Sequence, residues 1–572
     1  METRQAAISF RRSGPALGCG SGGRFLIAGL RKAVAPAAAW WIVFTIALAA
    51  GVFLRCWQLG SQILIDDEWH AIQKLLYSDY AGIATHFGVA DYSIPLTLYD
   101  RFLSLHGGLS EWRMRLPMLL SGIALIAVAP WLMRRRATPA ALATWSVLLA
   151  ISPIMVYHSR TARPYAITTL LVFVAIVAFF EWWQRRERRW ATAYVFATFL
   201  AGWLHLITLP YLLMPFAFCA GTALLRGRER WRDLAHLLLF GVIVALPLAA
   251  ALLPPLLNDM GALAAKSETG YVTVHSVYRA SMLALGVHQA LPFTVLLALS
   301  GLGAWSWWRR EAQFVAYVVT IVAVAAGAVM LAHPAWVQNP GTLARYLQPS
   351  LPFVLLFAAE GVAVVLSRLA LAVQAAIIVF AAVALFYAGP MPGYLYWPNQ
   401  LMGHPYFQAD YDPAFNPYYT LLPTGPVPSF YHRLSRLPAG SLMLVEAPWS
   451  IVSYQDPEQL YQAVHRQFVK IGMVAPECGM PPAYGQYPET RDMRLREVRH
   501  LSAILRGEAK GADFLVMHLH AWPAYVPPPE WPDVRGCLPL VEAKLGPAVY
   551  RDRDLEVFAL SAKARSIVST WR

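Results

Sequence analysis

Long apolar runs recur between residues 36 and 390, and most are close to twenty residues in length. About 20 apolar residues in a helix cross the roughly 30 Å hydrocarbon layer of a bilayer, so each run reads as a transmembrane helix. Eleven such spans are expected, at 36–55, 114–133, 138–153, 164–183, 190–204, 207–225, 234–254, 287–307, 313–332, 345–366 and 370–389. Only His205 and its neighbours separate the fifth from the sixth. The first 35 residues read as a disordered, Arg-rich cytoplasmic lead. The "SFRRSGPAL" stretch invites a twin-arginine reading, but the run that follows is long enough to span, which favours a signal anchor.

Two segments outside these runs are too large to be connectors. The first is the loop from Cys56 to Arg113. Within 67–77, Trp69, Ile72, Leu75 and Leu76 recur at helical spacing, which predicts an interfacial helix with its apolar face in lipid. A second such helix is expected at 95–106, with Leu96, Tyr99, Phe102 and Leu103 on one side. The other segment is 391–572. It opens with an irregular Pro/Tyr-rich stretch, then shows strand-like runs at 441–447, 513–519 and 555–560. Helical patterns at 456–473 and 491–507 alternate with those strands, so a small α/β domain is expected.

Composition agrees. Of the 572 residues, 57% are hydrophobic and only 14% are charged, against about 25% charged in soluble domains. The net charge of +14 would suggest a polyanionic partner, but its distribution removes nucleic acid from consideration. Residues 391–572 carry 17 basic and 17 acidic residues and are neutral. Twenty basic residues of the remainder fall in Arg4 to Lys32, Arg134–Arg136, Arg185–Arg189, Arg226–Arg232, Arg309–Arg310 and Arg368, each at one end of an apolar run. This is the positive-inside pattern. It places the N terminus in the cytoplasm and, with an odd number of spans, the C-terminal domain outside. Of the five cysteines, Cys478 and Cys537 share the outer domain, where either a disulfide or two free thiols fits.

The strongest chemical feature is the run Asp66-Asp67-Glu68 in the first outer loop. Capping the interfacial helix accounts for one of these acids; three adjacent carboxylates ask for more. In a partly dehydrated site at the membrane surface, one of them can serve as a general base. A divalent metal, with His70 or Asp91 as further ligands, is the second reading, and no cofactor is otherwise indicated. Outside the first loop the outward-facing cations are Arg160, Arg163, Lys266, Arg279 and Arg345. Each guanidinium at that depth either snorkels to headgroups or meets an anion. As a group they favour a lipid phosphate, which arginine grips with a planar fork. Tyr165 and Tyr346 stand beside two of them as candidate substrate contacts or interface aromatics, and Asp91, Tyr92 and His70 complete the candidate set on the substrate side.

In order and position, five stretches resemble the GT-C superfamily of membrane glycosyltransferases. They are "DDEWH" after the first span, "SEWRMRLPMLLSGI" at 110–123, "SPIMVYHSRTARPYAI" at 152–167, "ARYLQPSLPFVLLF" at 344–357 and "YRDRDLEVFAL" at 550–560. The set is most similar to bacterial relatives of protein O-mannosyltransferases and of the lipid A aminoarabinose transferase. Where many relatives carry a His-Pro-Pro element in the first loop, this chain reads "DYSIPLTLY" at 91–99. The resemblance implies a GT-C-like transmembrane domain over 36–390, with a catalytic first loop at 56–113 and an outer α/β domain over 391–572. It implies transfer of a hexose or pentose from a polyprenyl-phosphate donor to a glycan, lipid or protein acceptor at the outer face of a bacterial inner membrane. The family's acidic pair maps onto Asp67 and Glu68, with Asp66 beside them; its Arg-Tyr element maps onto Arg345 and Tyr346. The competing reading is a polytopic transporter, which would require ionisable groups or broken helices at mid-bilayer. Glu360, toward the cytoplasmic end of its span, is one of few such groups.

Overall fold

The computed structural model describes residues 40–64, 68, 71–72, 74–75, 78–87, 93–225, 230–265, 271–334, 336–396, 427–448, 458–473, 478, 498–519 and 534–571. The chain is a multi-pass α-helical membrane protein with a C-terminal α/β sheet. The apolar helices are α1 (Trp40–Cys56), α3 (Glu111–Met133), α4 (Pro139–Ile151), α5 (Tyr165–Arg185), α6 (Arg188–Leu204), α7 (Leu209–Leu224), α8 (Arg230–Ala265), α10 (Ala290–Ala332), α12 (Leu351–Leu366) and α13 (Leu371–Ala388). This region also holds the amphipathic helices α2 (Ile94–Leu105), α9 (Val274–Leu285) and α11 (Pro340–Leu347), with shorter helices at Tyr80–Thr85, Pro153–His158 and Met391–Tyr396.

Every expected span falls on an apolar helix. Among the described residues, seven helices are long and apolar enough to cross a membrane, and α1 and α4 are shorter apolar helices. The runs 287–307 and 313–332 are two helices within α10, which meet at a kink where Glu311 leaves helical geometry. That break sits beside Arg309 and Arg310. Between α6 and α7, His205 is extended and a 3-10 turn over Leu206–Thr208 follows.

Small residues set the closest helix contacts. A Cβ added at Gly303 would lie 1.8 Å from the Phe357 carbonyl, and one at Gly361 would lie 2.1 Å from that of Leu299. The α10 and α12 backbones therefore touch, as small residues permit between helices in lipid. At the ends carrying the basic clusters, Arg136 bridges Glu181 and Glu311, Arg310 pairs with Glu360, and Arg186 meets Asp233 at 3.2 Å.

The first outer loop departs from expectation. Ile72 and Leu75 are buried in the protein core rather than turned to lipid. Lys74 donates to the Ile83 carbonyl at 3.2 Å, and also to that of His86, and so ties this turn to the following segment. The second expected helix forms as α2, with Leu96 and Leu103 buried and Phe102 exposed.

The C-terminal domain, expected outside the membrane, is a six-stranded sheet of order β3-β2-β1-β4-β6-β5. Its strands are β1 (Met443–Ala447), β2 (Phe468–Met473), β3 (Val498–His500), β4 (Phe514–His518), β5 (Tyr550–Arg551) and β6 (Leu555–Ala559). The first four run parallel, and β6 pairs antiparallel with β4 and β5. The three expected strands become β1, β4 and β6. The helical reading of 456–473 is corrected: helix α14 covers only Glu458–His465, and the rest is β2. Val469, Ile471 and Met473 alternate with Phe468, Lys470 and Gly472, a period of two at the end of a stretch read with a period of 3.6. Likewise 498–500 is strand β3, ahead of a short helix Leu501–Leu505. Cys478 and Cys537 form a disulfide.

Candidate active site

The site lies where the first outer loop meets the turn between α4 and α5. Arg115 stands one turn inside α3, fully buried, and its fork grips Glu68 with both arms. Nε donates to Oε1 at 2.8 Å and Nη2 to Oε2 at 2.7 Å. The same guanidinium donates to the carbonyls of Leu59 and Gln62 at 2.9 Å and of Ile63 at 3.1 Å. Glu68 in turn accepts the Ala162 backbone N–H at 2.7 Å. The pair satisfies itself, as a buried charge must. It also fastens the acidic loop to the turn that carries Arg160 and Arg163.

A second buried arginine shapes that turn. Arg55, at the end of α1, donates to the carbonyls of Gly51 at 3.1 Å and of Leu149 and Ala150 at 3.0 Å, and to Ser159 Oγ at 3.2 Å. Gly122 makes room for the turn, since a Cβ there would lie 1.9 Å from Ser159 Oγ. Arg160 donates through Nη1 to the Arg55 carbonyl at 2.8 Å, and its guanidinium lies 5.1 Å from the Tyr394 ring. Arg160 Nη2 and the Tyr394 hydroxyl are buried without a hydrogen-bond partner among the described residues. Buried donors with unspent capacity are rare in folded proteins and ask for a ligand or water.

The start of α5 and the short helix α11 complete the wall. Asn339 caps α11 by accepting from Gly341 N–H at 2.9 Å and Thr342 N–H at 3.2 Å, which sets the helix carrying Arg345 and Tyr346. The Arg345 guanidinium sits 5.3 Å from the Tyr165 ring and 5.1 Å from the Tyr346 ring, and all three residues are buried. Tyr165 packs against His158 at 4.8 Å and His205 at 5.6 Å between ring centres, and His205 reaches Tyr346 at 6.0 Å. His158 Nδ1 bonds Gln348 Oε1. Aromatic faces around a guanidinium hold it in place by cation–π attraction without neutralising it.

Of the residues singled out from sequence, Glu68, Arg160, Arg163, Tyr165, Arg345 and Tyr346 share this region, and Arg279 lies on α9, which packs against α11. Asp66, Asp67, His70, Asp91, Tyr92 and Lys266 lie outside the described residues. Among the described residues, no group of three or more His, Cys, Asp or Glu could hold a metal ion. Arg55, Arg115, His158 and His205 were missed. Their signal was available: each is a polar group within or at the end of an apolar run, where it is costly unless partnered.

The family described as dolichyl-phosphate-mannose-protein mannosyltransferase matches residues 97–254. That stretch runs from α2 into α8 and includes Arg115, Arg160, Arg163 and Tyr165. The match supports the GT-C resemblance. Among curated proteins no sequence matches significantly. Two structures of ArnT from Cupriavidus metallidurans resemble the chain. The apo form does so at 15% identity and TM-score 0.44, covering 92% of this chain and 99% of that one. The form bound to undecaprenyl phosphate does so at 14% identity and TM-score 0.44, covering 92% and 98%. The apo Archaeoglobus fulgidus oligosaccharyltransferase follows at 11% identity and TM-score 0.40, covering 84% and 69%.

Proposed function

We propose that the protein is a membrane glycosyltransferase that moves a sugar from a polyprenyl-phosphate donor to a glycan, lipid or protein acceptor at the extracytoplasmic face of a bacterial inner membrane. One observation carries the reading: Glu68 joins Arg115 to the Ala162 backbone N–H, so the acidic loop and the Arg160–Arg163 turn form one unit. Glu68 and the cations proposed for the phosphate are thereby held together. The matched family, whose described donor is dolichyl-phosphate-mannose, supports the donor class. The transporter reading draws no support from Glu360, which lies toward the end of its span and pairs with Arg310.

In this mechanism an acceptor hydroxyl attacks the anomeric carbon and the bond to the phosphate oxygen breaks. The polyprenyl phosphate departs with the electron pair. Oxocarbenium character develops on the sugar and negative charge on the phosphate. Arg345, with Tyr346 and Tyr165 around it, and Arg160, Arg163, Lys266 and Arg279 stabilise that charge more in the transition state than in the ground state. Asp67 takes the acceptor proton, with Asp66 beside it, and Glu68 serves as the anchor of the loop. A phosphate acceptor would need no base, and the acids would then orient or bind a cationic group instead.

Arg345→Gln tests the donor side, since it removes the fork and the charge while keeping most of the stem. kcat/KM for a labelled polyprenyl-phosphate sugar should fall by about 10²-fold, as expected for a lost charge-stabilising donor, with kcat falling too. Arg345→Lys should recover only part. An unchanged kcat/KM in Arg345→Gln would leave Arg345 as a headgroup snorkeller and overturn its phosphate assignment.

A further inference from the structure

Gln462 of the C-terminal domain bonds the segment that precedes the acidic run. Gln462, on α14, is fully buried. Its Oε1 accepts the Ile63 N–H at 3.0 Å, and its Nε2 donates to the Ser61 carbonyl at 2.9 Å and the Gln467 carbonyl at 3.1 Å. Every bond the amide makes here is to backbone, so it reads the path of the chain rather than a side chain.

The other side of this segment is held by Arg115, which takes the carbonyls of Leu59, Gln62 and Ile63. The residue Ile63 is thus gripped from both directions, N–H to the outer domain and carbonyl to α3. Leu59, Ser61, Gln62, Ile63 and Leu64 are all buried between them. Gln462 is itself on a stiff base. Gln467, whose carbonyl it bonds, accepts the Leu442 N–H at 3.0 Å at the entry to β1 and donates to the Pro438 carbonyl at 3.1 Å. A second contact lies close by, with Lys470 on β2 3.7 Å from Glu111 in the first turn of α3.

We infer that Gln462 is a positioning residue, through which the outer domain fixes the register of the segment that leads into Asp66, Asp67 and Glu68. This role rests on the transferase reading given above. Only four residues lie between Ile63 and Glu68, so holding 59–63 limits where the chain can enter Glu68. Displacements near 1 Å are enough to cost about 10²-fold in a positioned reaction. The outer domain then acts on the chemistry without touching the substrate, and kcat rather than donor affinity should respond.

The test uses the full-length protein in nanodiscs and two variants. Gln462→Met keeps the shape and removes all three hydrogen bonds. Gln462→Glu keeps an acceptor for Ile63 N–H, and as a carboxylate cannot donate to the Ser61 carbonyl, a loss reversed on protonation. Hydrogen exchange of peptides spanning 59–68 should quicken by about tenfold in Gln462→Met, with α5 and α12 unchanged. With radiolabelled undecaprenyl-phosphate hexoses and pentoses as probes, kcat should fall by about tenfold or more and KM for the donor should stay within about twofold. In Gln462→Glu the deficit relative to the parent should shrink as pH falls and the carboxyl protonates. Unchanged exchange at 59–68 in both variants overturns the clamp, whatever the activity. Quickened exchange with parental kcat in both overturns the positioning role. A parent that discharges none of the probes overturns the transferase reading beneath it, while the exchange data still decide whether the clamp exists. If Gln462→Met fails to fold, the exchange and pH profile of Gln462→Glu decide both points.

Discussion

Single residues in this protein earn their place by how their charge is matched. The three adjacent acids were legible from sequence alone, because no helix cap needs three. The fate of Glu68 was not, because its partner Arg115 lies 47 positions away inside an apolar run. Glu68→Gln leaves that guanidinium buried with its countercharge gone. The expected result is a loss of about 3–5 kcal/mol, seen as a lower unfolding temperature, before any change in chemistry. A parental unfolding temperature with impaired transfer would instead mark Glu68 as a participant in the reaction. His465, in the outer domain, is a case of burial alone. Its Nδ1 accepts the Gln467 N–H at 2.9 Å, and burial pushes its pKa down to about 3. The unfolded chain, with a pKa near 6.5, then binds more protons than the folded one between about pH 3 and 6.5. Stability should be full above that window and fall as pH drops through it. His465→Asn, which keeps an acceptor, should flatten the decline in thermal scans taken from pH 7.5 to pH 5.

At the scale of elements, the apolar spans were legible because twenty apolar residues leave the chain few other options. What sequence patterns did not carry was which elements cover which. Ile72 and Leu75 have the spacing of a lipid-facing helix, yet they pack into the core, since an amphipathic face does not name its partner. The end of 456–473 was misread because α14 and β2 follow each other with only Arg466 and Gln467 between them, too few to show as a break in the pattern. The Cys478–Cys537 bond was left open for a similar reason: two cysteines in one compartment do not fix their separation in space. The bond closes 59 residues of chain, a loop for which the entropy of the unfolded state gives about 4 kcal/mol. Cys537→Ser should therefore destabilise the outer domain by roughly that amount, measured as exchange of the β1 and β4 amides. Unchanged protection of those strands would show that the sheet holds without the bond.

For the whole molecule, the distribution of charge organises function. The basic clusters gather at one set of span ends, where Arg136, Arg186 and Arg310 find acidic partners. On the other side, Arg55 and Arg160 are buried among carbonyls, Arg160 against the Tyr394 ring, and Arg345 lies beside the rings of Tyr165 and Tyr346. In the proposed reading a lipid-linked phosphate meets this positive charge, and the acids of the first loop act on the sugar it carries. The most direct measurement is discharge of a labelled undecaprenyl-phosphate sugar by purified protein in proteoliposomes, with Asp67→Asn alongside. The parent should release free undecaprenyl phosphate and pass its label to an acceptor, and Asp67→Asn should do so about 10²-fold more slowly while folding normally. A parent that discharges no donor, or an Asp67→Asn variant that matches it, would contradict the account.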